Sequence, residues 1–205
     1  MAKNHRSSAS LVLFFACMAL GFSVEAARES FTYYWTVEES VLCGNEASNT
    51  EIKDCDGNAI ASVCGGFSSK IHVEGAGRLK DGRYVNCQDN DCTCYFVTDG
   101  PKGSRENDLQ LYVSIAVPDE GKYPFGSHLK IDLLQGLALP NGRQHNGCVR
   151  VDDACKKDKE KNNECNMDFY VGSESNYHNI EHELQDAESW DANIDPNCQI
   201  QDYGS

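Results

Sequence analysis

The sequence predicts a mainly β protein whose short strands form a disulfide-stabilised barrel. Segments rich in β-branched and aromatic residues alternate with turn residues about every ten positions, which is typical of a barrel. Cysteine is abundant, with 11 in 205 residues, and a secretory signal is predicted at the start of the chain. No internal repeat interrupts this pattern.

The N-terminus has the layout of a secretory signal peptide. Lys3 and Arg6 precede an apolar run over residues 11–24, and Val24 and Ala26 occupy the positions that signal peptidase reads. A membrane anchor is the alternative, but the run is short for ~30 Å of hydrocarbon and contains small polar residues. We therefore predict cleavage after Ala26, a secreted extracellular protein and no membrane association after cleavage.

The cysteines predict disulfides. Loss of the signal peptide removes Cys17 from the 11 cysteines and leaves ten, an even number that predicts about five disulfides of undetermined pairing. A metal site is the alternative, for which Cys92 and Cys94 form the one tight pair. Their spacing is too short for a zinc knuckle. We expect no metal and no cofactor.

The chain is strongly acidic. Its net charge is −14, and the signal region contributes Lys3, Arg6 and Glu25, or +1, so the processed chain carries −15. Such a surface repels nucleic acid and anionic membranes, which excludes both as partners. Neutral glycans, or glycans with cationic groups, remain suitable partners. We expect a monomer.

In the N-terminal half, strands are predicted over residues 31–36, 59–63, 71–74 and 84–86. The acidic segment 54–58 is a turn signal, and the downstream ligands of a calcium loop are missing. Gly75 and Gly77 resemble part of a phosphate loop, but no suitable helix is predicted after them. We interpret them as bulge or close-packing glycines.

In the C-terminal half, residues 99–107 form a predicted surface loop and residues 109–117 alternate most regularly as a strand. Further strands are predicted over residues 128–131, 148–151 and 166–171. A charged loop, 156–161, separates the last two strands. A helix is predicted around residues 180–187, and Cys198 is expected to tie the acidic tail to the barrel.

Three aspartate-containing blocks occur in this half, namely Ser114–Asp119 with Tyr123–Ser127, His145–Asp153, and Asn166–Gly172. Together they resemble the 3D (Asp-Asp-Asp) domain, a six-stranded double-psi β-barrel of the membrane-bound lytic murein transglycosylase A family and of bacterial cell-wall proteins. The Tyr33-Tyr34-Trp35 opening and the segment Glu74–Arg83 also resemble secreted members. The resemblance implies barrel strands with loop insertions in residues 27–98, a 3D core in 99–172 and an acidic tail in 173–205, after the signal peptide in 1–26.

The resemblance implies that Asp168 is the catalytic acid. In that chemistry one carboxyl group protonates the glycosidic oxygen and then removes a proton from the 6-hydroxyl of the sugar, which closes a 1,6-anhydro ring. Asp168 would need a raised pKa, and the desolvation must come from residues distant in sequence, because its neighbours point to the opposite face. The alternative is a structural aspartate satisfied by backbone amides.

The resemblance also implies substrate-binding residues. Asp119 and either Asp152 or Asp153 would shape the groove, and the choice between the two adjacent aspartates stays open. His145 is either a substrate contact or a surface loop histidine. The loop from residue 154 to 160 replaces a glycine-rich segment of the family, so substrate binding there is altered or lost.

Two functions from different classes follow. The first is a secreted glycan-cleaving protein that acts on peptidoglycan or a related polysaccharide through Asp168. The second is a non-catalytic extracellular carbohydrate- or protein-binding barrel, as an expansin-like module or an effector, because a shared fold does not establish enzyme activity. Trp35 is predicted to lie in the core rather than to stack on a sugar ring. For Trp190, in the acidic tail, the choice between these two roles stays open.

Overall fold

A computed structural model describes residues 31–89, 91–118, 121–155, 167–184 and 191–204. The predicted signal peptide, Asp119, the charged loop 156–161 and Trp190 lie outside these residues. None of the described helices is long and apolar enough to span a lipid bilayer. In chain order the described elements are β1 (Phe31–Tyr34), β2 (Val37–Glu38), α1 (Glu39–Cys43), β3 (Thr50–Lys53), β4 (Ala59–Val63), α2 (Gly65–Glu74), β5 (Ala76–Arg78), β6 (Tyr84–Cys87), β7 (Tyr95–Thr98), β8 (Ser114–Pro118), β9 (His128–Ala138), β10 (Gln144–Cys155), β11 (Met167–Tyr170), α3 (Glu174–Leu184) and β12 (Ala192–Ile194).

The largest sheet has six strands in the order β1-β11-β8-β10-β9-β12. It is mixed: β1 runs parallel to β11 and β8 runs parallel to β10, whereas the other neighbours are antiparallel. The protein is therefore mainly β, as predicted. Among the described residues the strands lie in separate sheets and no closed barrel is formed.

One face of the six-stranded sheet carries the main hydrophobic core. Ile115 pairs with Val151 on one side and Phe169 on the other, and all three side chains are buried. Because alternate residues of a strand face opposite sides, the next residues along these strands face away from this core. That second face positions the candidate site.

A second, smaller core lies in residues 37–95. The four-stranded sheet β2-β5-β6-β7 and the hairpin β3-β4 surround α2, whose Phe67 and Ile71 are fully buried. A Cβ atom at Gly77 would lie 2.5 Å from Ile71 Cγ2 and 2.6 Å from Phe67 Cζ, so only glycine allows α2 to pack on β5. Gly77 is thus a close-packing glycine, whereas Gly75 ends α2 in the left-handed region (φ 84°).

Two strand predictions need correction. Residues 71–74 belong to α2 rather than to a strand, because Phe67 and Ile71, four residues apart, lie on the helix face that packs on Gly77. The strand predicted from residue 109 begins only at Ser114. Tyr112 adopts a positive φ of 57°, and a turn joins the Val113 amide to the Gln110 carbonyl before β8 starts.

Disulfides stabilise both parts of the molecule. The described pairs are Cys43–Cys64, Cys55–Cys94, Cys87–Cys92 and Cys148–Cys198, and Cys155 is disulfide-bonded as well. The disulfide prediction is confirmed, and the close pair Cys92 and Cys94 is divided between two different bonds. Cys198 ties the acidic tail to β10, and β12 from the same tail joins the edge of the six-stranded sheet. Such bonds fit an extracellular protein.

Candidate functional site

Strand register brings Asp153 and Asp168 to the same face of the six-stranded sheet. Ala116 in β8 pairs with Asp153 of β10 on one side and with Asp168 of β11 on the other. Directly paired residues of neighbouring strands point to the same side of a sheet. The two carboxyl groups therefore flank Ala116 on the side opposite to the Ile115 core.

The small side chain of Ala116 lies between these carboxyl groups. Asp153 and Asp168 lie one strand to either side of β8, so their Cα atoms are separated by two interstrand spacings, about 10 Å. Both aspartates are partly exposed, whereas Ala116 between them is buried. The two partly exposed carboxyl groups thus lie on either side of a buried alanine.

A β-bulge in β10 gives the adjacent aspartates different surroundings. The register shifts between Val151 and Asp153, so Asp152 is the extra residue. Asp152 is buried, accepts hydrogen bonds from Arg150 at 2.6 and 3.0 Å, and accepts another from Ser114 Oγ at 2.6 Å. Asp152 is therefore neutralised by its own strand, and Asp153 is the aspartate that accompanies Asp168.

The loop predicted over residues 99–107 packs against this bulge. The Ser104 amide donates a hydrogen bond to Asp153 Oδ1 at 2.8 Å, and Asn107 Nδ2 donates to the Asp152 carbonyl at 3.0 Å. A Cβ atom at Gly103 would lie 2.2 Å from that carbonyl, so glycine is required for this approach. The loop thereby fixes the position of the Asp153 side chain.

The surroundings of both carboxyl groups favour proton retention. Burial, followed by the charges of Glu74 and Asp153, raises the pKa of Asp168 to about 6. Burial also raises the pKa of Asp153 to about 6, although the amides of Ala154 and Ser104 favour its ionised form. The two carboxyl groups differ in their partners, because backbone amides hold Asp153 whereas like charges surround Asp168.

Two residues near this pair were not predicted as site residues. Glu74, the last residue of α2, contributes the largest charge effect on Asp168. The Tyr34 hydroxyl is buried beside Asp153, yet none of the described residues meets hydrogen-bond geometry with it. Burial, and after it the charge of Asp153, raises the pKa of Tyr34 well above its usual value. The Tyr34 hydroxyl in turn favours the ionised form of Asp153.

His145 lies apart from this pair. It is 1 % exposed, so the prediction of a surface loop histidine is wrong. The Gly147 amide donates to Nδ1 and Nε2 lies 2.8 Å from the Tyr112 carbonyl, which accepts from the protonated Nε2. Burial lowers the pKa of His145 to about 4, and its ring stacks on Tyr203 at 4.8 Å. Both ring nitrogens of His145 thus have partners inside the protein. His145 is part of the core and does not make the predicted substrate contact.

Trp35 does not offer an open sugar platform. Tyr177 stacks on its ring at a centroid distance of 5.1 Å, and Lys70 Nζ lies 4.6 Å from the ring centroid. Trp35 also packs against the main hydrophobic core, where it was predicted to lie. Asp119, the remaining predicted site residue, falls outside the described residues.

A separate polar cavity of about 510 Å³ lies between β3 and α2, and Glu51, Ser69, His72 and Tyr95 are among its lining residues. Neither Asp153 nor Asp168 lines it. Within the described ranges no group of three or more His, Cys, Asp or Glu side chains is arranged to hold a metal ion.

No protein-family model matches the chain, and no curated protein matches it.

Proposed function

We propose that this is a secreted glycan-cleaving protein in which Asp168 is the general acid. Its substrate is peptidoglycan or a related β-1,4-linked polysaccharide, and the reaction is of the lytic transglycosylase type. The observation that carries the proposal is the placement of Asp168 and Asp153 on either side of Ala116, where both carboxyl groups are partly exposed and burial raises the pKa of Asp168. A carboxyl group with a raised pKa is typical of glycoside-cleaving acids.

In this reaction Asp168 donates its proton to the glycosidic oxygen as the bond to the anomeric carbon breaks. The departing sugar leaves as an alcohol, and positive charge develops on the remaining ring. The Asp153 carboxylate, held by the Ser104 and Ala154 amides, stabilises that charge. Asp168, now ionised, removes the proton of the 6-hydroxyl, whose oxygen attacks the anomeric carbon and closes a 1,6-anhydro ring. No water is consumed.

The proposal includes a double-psi β-barrel of the 3D type. The six-stranded sheet supports it through its strand number and through its parallel pairs β1/β11 and β8/β10, which join strands distant in sequence. The pair β8/β10 contributes Ala116 and Asp153, and the pair β1/β11 contributes Asp168. Secretion is part of the same proposal and is supported by the disulfides.

Turbidity clearance of insoluble peptidoglycan, followed by mass spectrometry of the released fragments, tests this function. Wild type is expected to release 1,6-anhydro products, and Asp168→Asn to lose at least ~100-fold of this activity. Asp132→Asn is the matched control, because Asp132 is an exposed aspartate of the same sheet. Equal activity of wild type and Asp168→Asn, including no activity in both, would end the enzymatic proposal. Retention on peptidoglycan, chitin or cellulose without released product would instead support the non-catalytic binding barrel.

A further inference from the structure

The polar cavity of about 510 Å³ belongs to the part of the chain with the second core, and neither member of the carboxyl pair lines it. Three segments form its sides. Glu51 and Lys53 come from β3, Ser69 and His72 lie three residues apart on one face of α2, and residues 92–95 form the third side. Its volume lies within the range of ~300 to 1,000 Å³ that is usual for ligand pockets.

The sides of the cavity are held in place by a covalent bond and by packing. Cys55, two residues after β3, is disulfide-bonded to Cys94, which directly precedes β7, so this bond joins two of the three sides. The Thr93 amide donates a hydrogen bond to Asp89 Oδ1 at 2.7 Å, and buried residues of α2 anchor the helix in the second core. A site whose walls are already fixed loses little conformational entropy when a ligand binds.

The lining is polar at the rim and mainly apolar at the base. The exposed lining residues all have a side chain that forms hydrogen bonds, and they are Glu51, Lys53, Ser69, His72 and Thr93. The buried lining residues are Ile52, Cys92 and Tyr95, of which only Tyr95 adds a hydroxyl group. A pyranose ring has the matching character, because its hydroxyl groups lie around the edge and its C–H groups on the faces.

The charges of the cavity are paired with each other. Lys53 Nζ lies 2.9 Å from Glu51 Oε1, so an anionic ligand would have to compete with Glu51 for this lysine. In the described part of the chain no group forms a hydrogen bond with the His72 ring, which is therefore available to a ligand. Ser69 Oγ donates to the Gly65 carbonyl at 3.0 Å and can still accept. Such groups suit an uncharged ligand whose hydroxyls both donate and accept.

We propose that this cavity binds a neutral sugar unit of an oligosaccharide, at a site separate from the carboxyl pair. The hydroxyl groups of the sugar bind to the polar rim, and its C–H face packs on the apolar base. A neutral ligand also avoids repulsion by a chain whose net charge is −14. The inference goes beyond the proposed function, because this cavity holds a glycan without cleaving it, whether or not Asp168 is a general acid.

Amide NMR of the nitrogen-15-labelled, disulfide-bonded protein tests this inference. The probe is chitotetraose, the neutral β-1,4-linked tetramer of N-acetylglucosamine, and wild type is expected to show saturable shifts of the amides that line the cavity. His72→Ala removes one hydrogen-bonding partner and should raise the Kd ~10-fold. Ser69→Tyr places a large side chain in the cavity and should abolish the shifts. His178→Ala is the matched control and should bind as wild type, because His178 is an exposed histidine of α3 outside the cavity.

Absence of shifts at the lining amides of wild type would overturn the inference. Wild-type affinity in either His72→Ala or Ser69→Tyr would do the same, because both positions are exposed and both variants are expected to fold. Inorganic phosphate, titrated in parallel, should leave the lining amides unchanged. If phosphate shifts them and chitotetraose does not, the cavity is an anion site and the inference is wrong. If the cavity shifts are observed and wild type cleaves no glycan, the proposed function fails while this inference stands.

Discussion

Replacement of the proposed acid is expected to stabilise the protein at neutral pH. Asp168 has a folded-state pKa of about 6, against an ordinary value of 3.8. Between these values the folded protein binds more protons than the unfolded chain, so stability falls as the pH rises through this window. The amide that Asp168→Asn introduces would resemble the protonated carboxyl group at every pH and remove this loss.

The magnitude follows from the pKa difference of about 2, at ~1.4 kcal/mol for each pKa unit, or about 3 kcal/mol at full ionisation. Partial exposure of Asp168 reduces this, so we expect Asp168→Asn to raise the free energy of unfolding by ~2 kcal/mol at pH 7.5 and by almost nothing near pH 3.5. Urea unfolding of the disulfide-intact protein at both pH values, followed by circular dichroism, measures the two differences.

The pH dependence separates this explanation from a packing effect. Asp132→Asn, on the exposed side of β9, should change stability little at either pH. If Asp168→Asn alters the free energy of unfolding equally at both pH values, or destabilises the protein at pH 7.5, then Asp168 is not held in a proton-retaining site. The proposed role of Asp168 as the proton donor would then be excluded.

Two further predictions concern the scaffold. Replacing Cys148 and Cys198 with serine removes the disulfide that closes a loop with a sequence separation of 50. The loop-entropy relation gives a loss of ~4 kcal/mol in the free energy of unfolding, which urea titration measures. A loss below ~1 kcal/mol would show that other contacts hold the tail. Gly77→Ala places a methyl group against Ile71 and Phe67 and should cost ~1 to 3 kcal/mol, seen as a lower melting temperature. An unchanged melting temperature would contradict the packing of α2 on β5.

The strands were predicted best where local pattern and tertiary environment agree. The strand over residues 59–63 coincides with β4, and the segments at 128–131 and 148–151 lie within β9 and β10. The alternation of apolar and polar residues gave a wrong prediction where helix packing or backbone conformation determined the local structure. Residues 71–74 alternate like a strand but continue α2, and the positive φ of Tyr112 delays β8 although the preceding residues alternate.

The site was predictable only in part. The aspartate blocks indicated Asp168 and the pair 152–153, and Asp168 was expected to need a raised pKa, which burial gives it. Periodicity contains no signal for the contact between Glu74 and the Trp35 amide, so Glu74 was missed. The choice between Asp152 and Asp153 depended on the bulge, which adjacent identical residues do not reveal.

That bulge also limits how the site can change. A regular strand would send one of two consecutive aspartates into the apolar interior, where an unpaired charge is very costly. Here the inserted residue places both aspartates on the same side of the sheet. Arg150 pairs with Asp152, and Asp153 remains available for proton transfer. Deleting a single residue at this point would therefore reverse the orientation of the strand that follows, a change that no substitution reproduces.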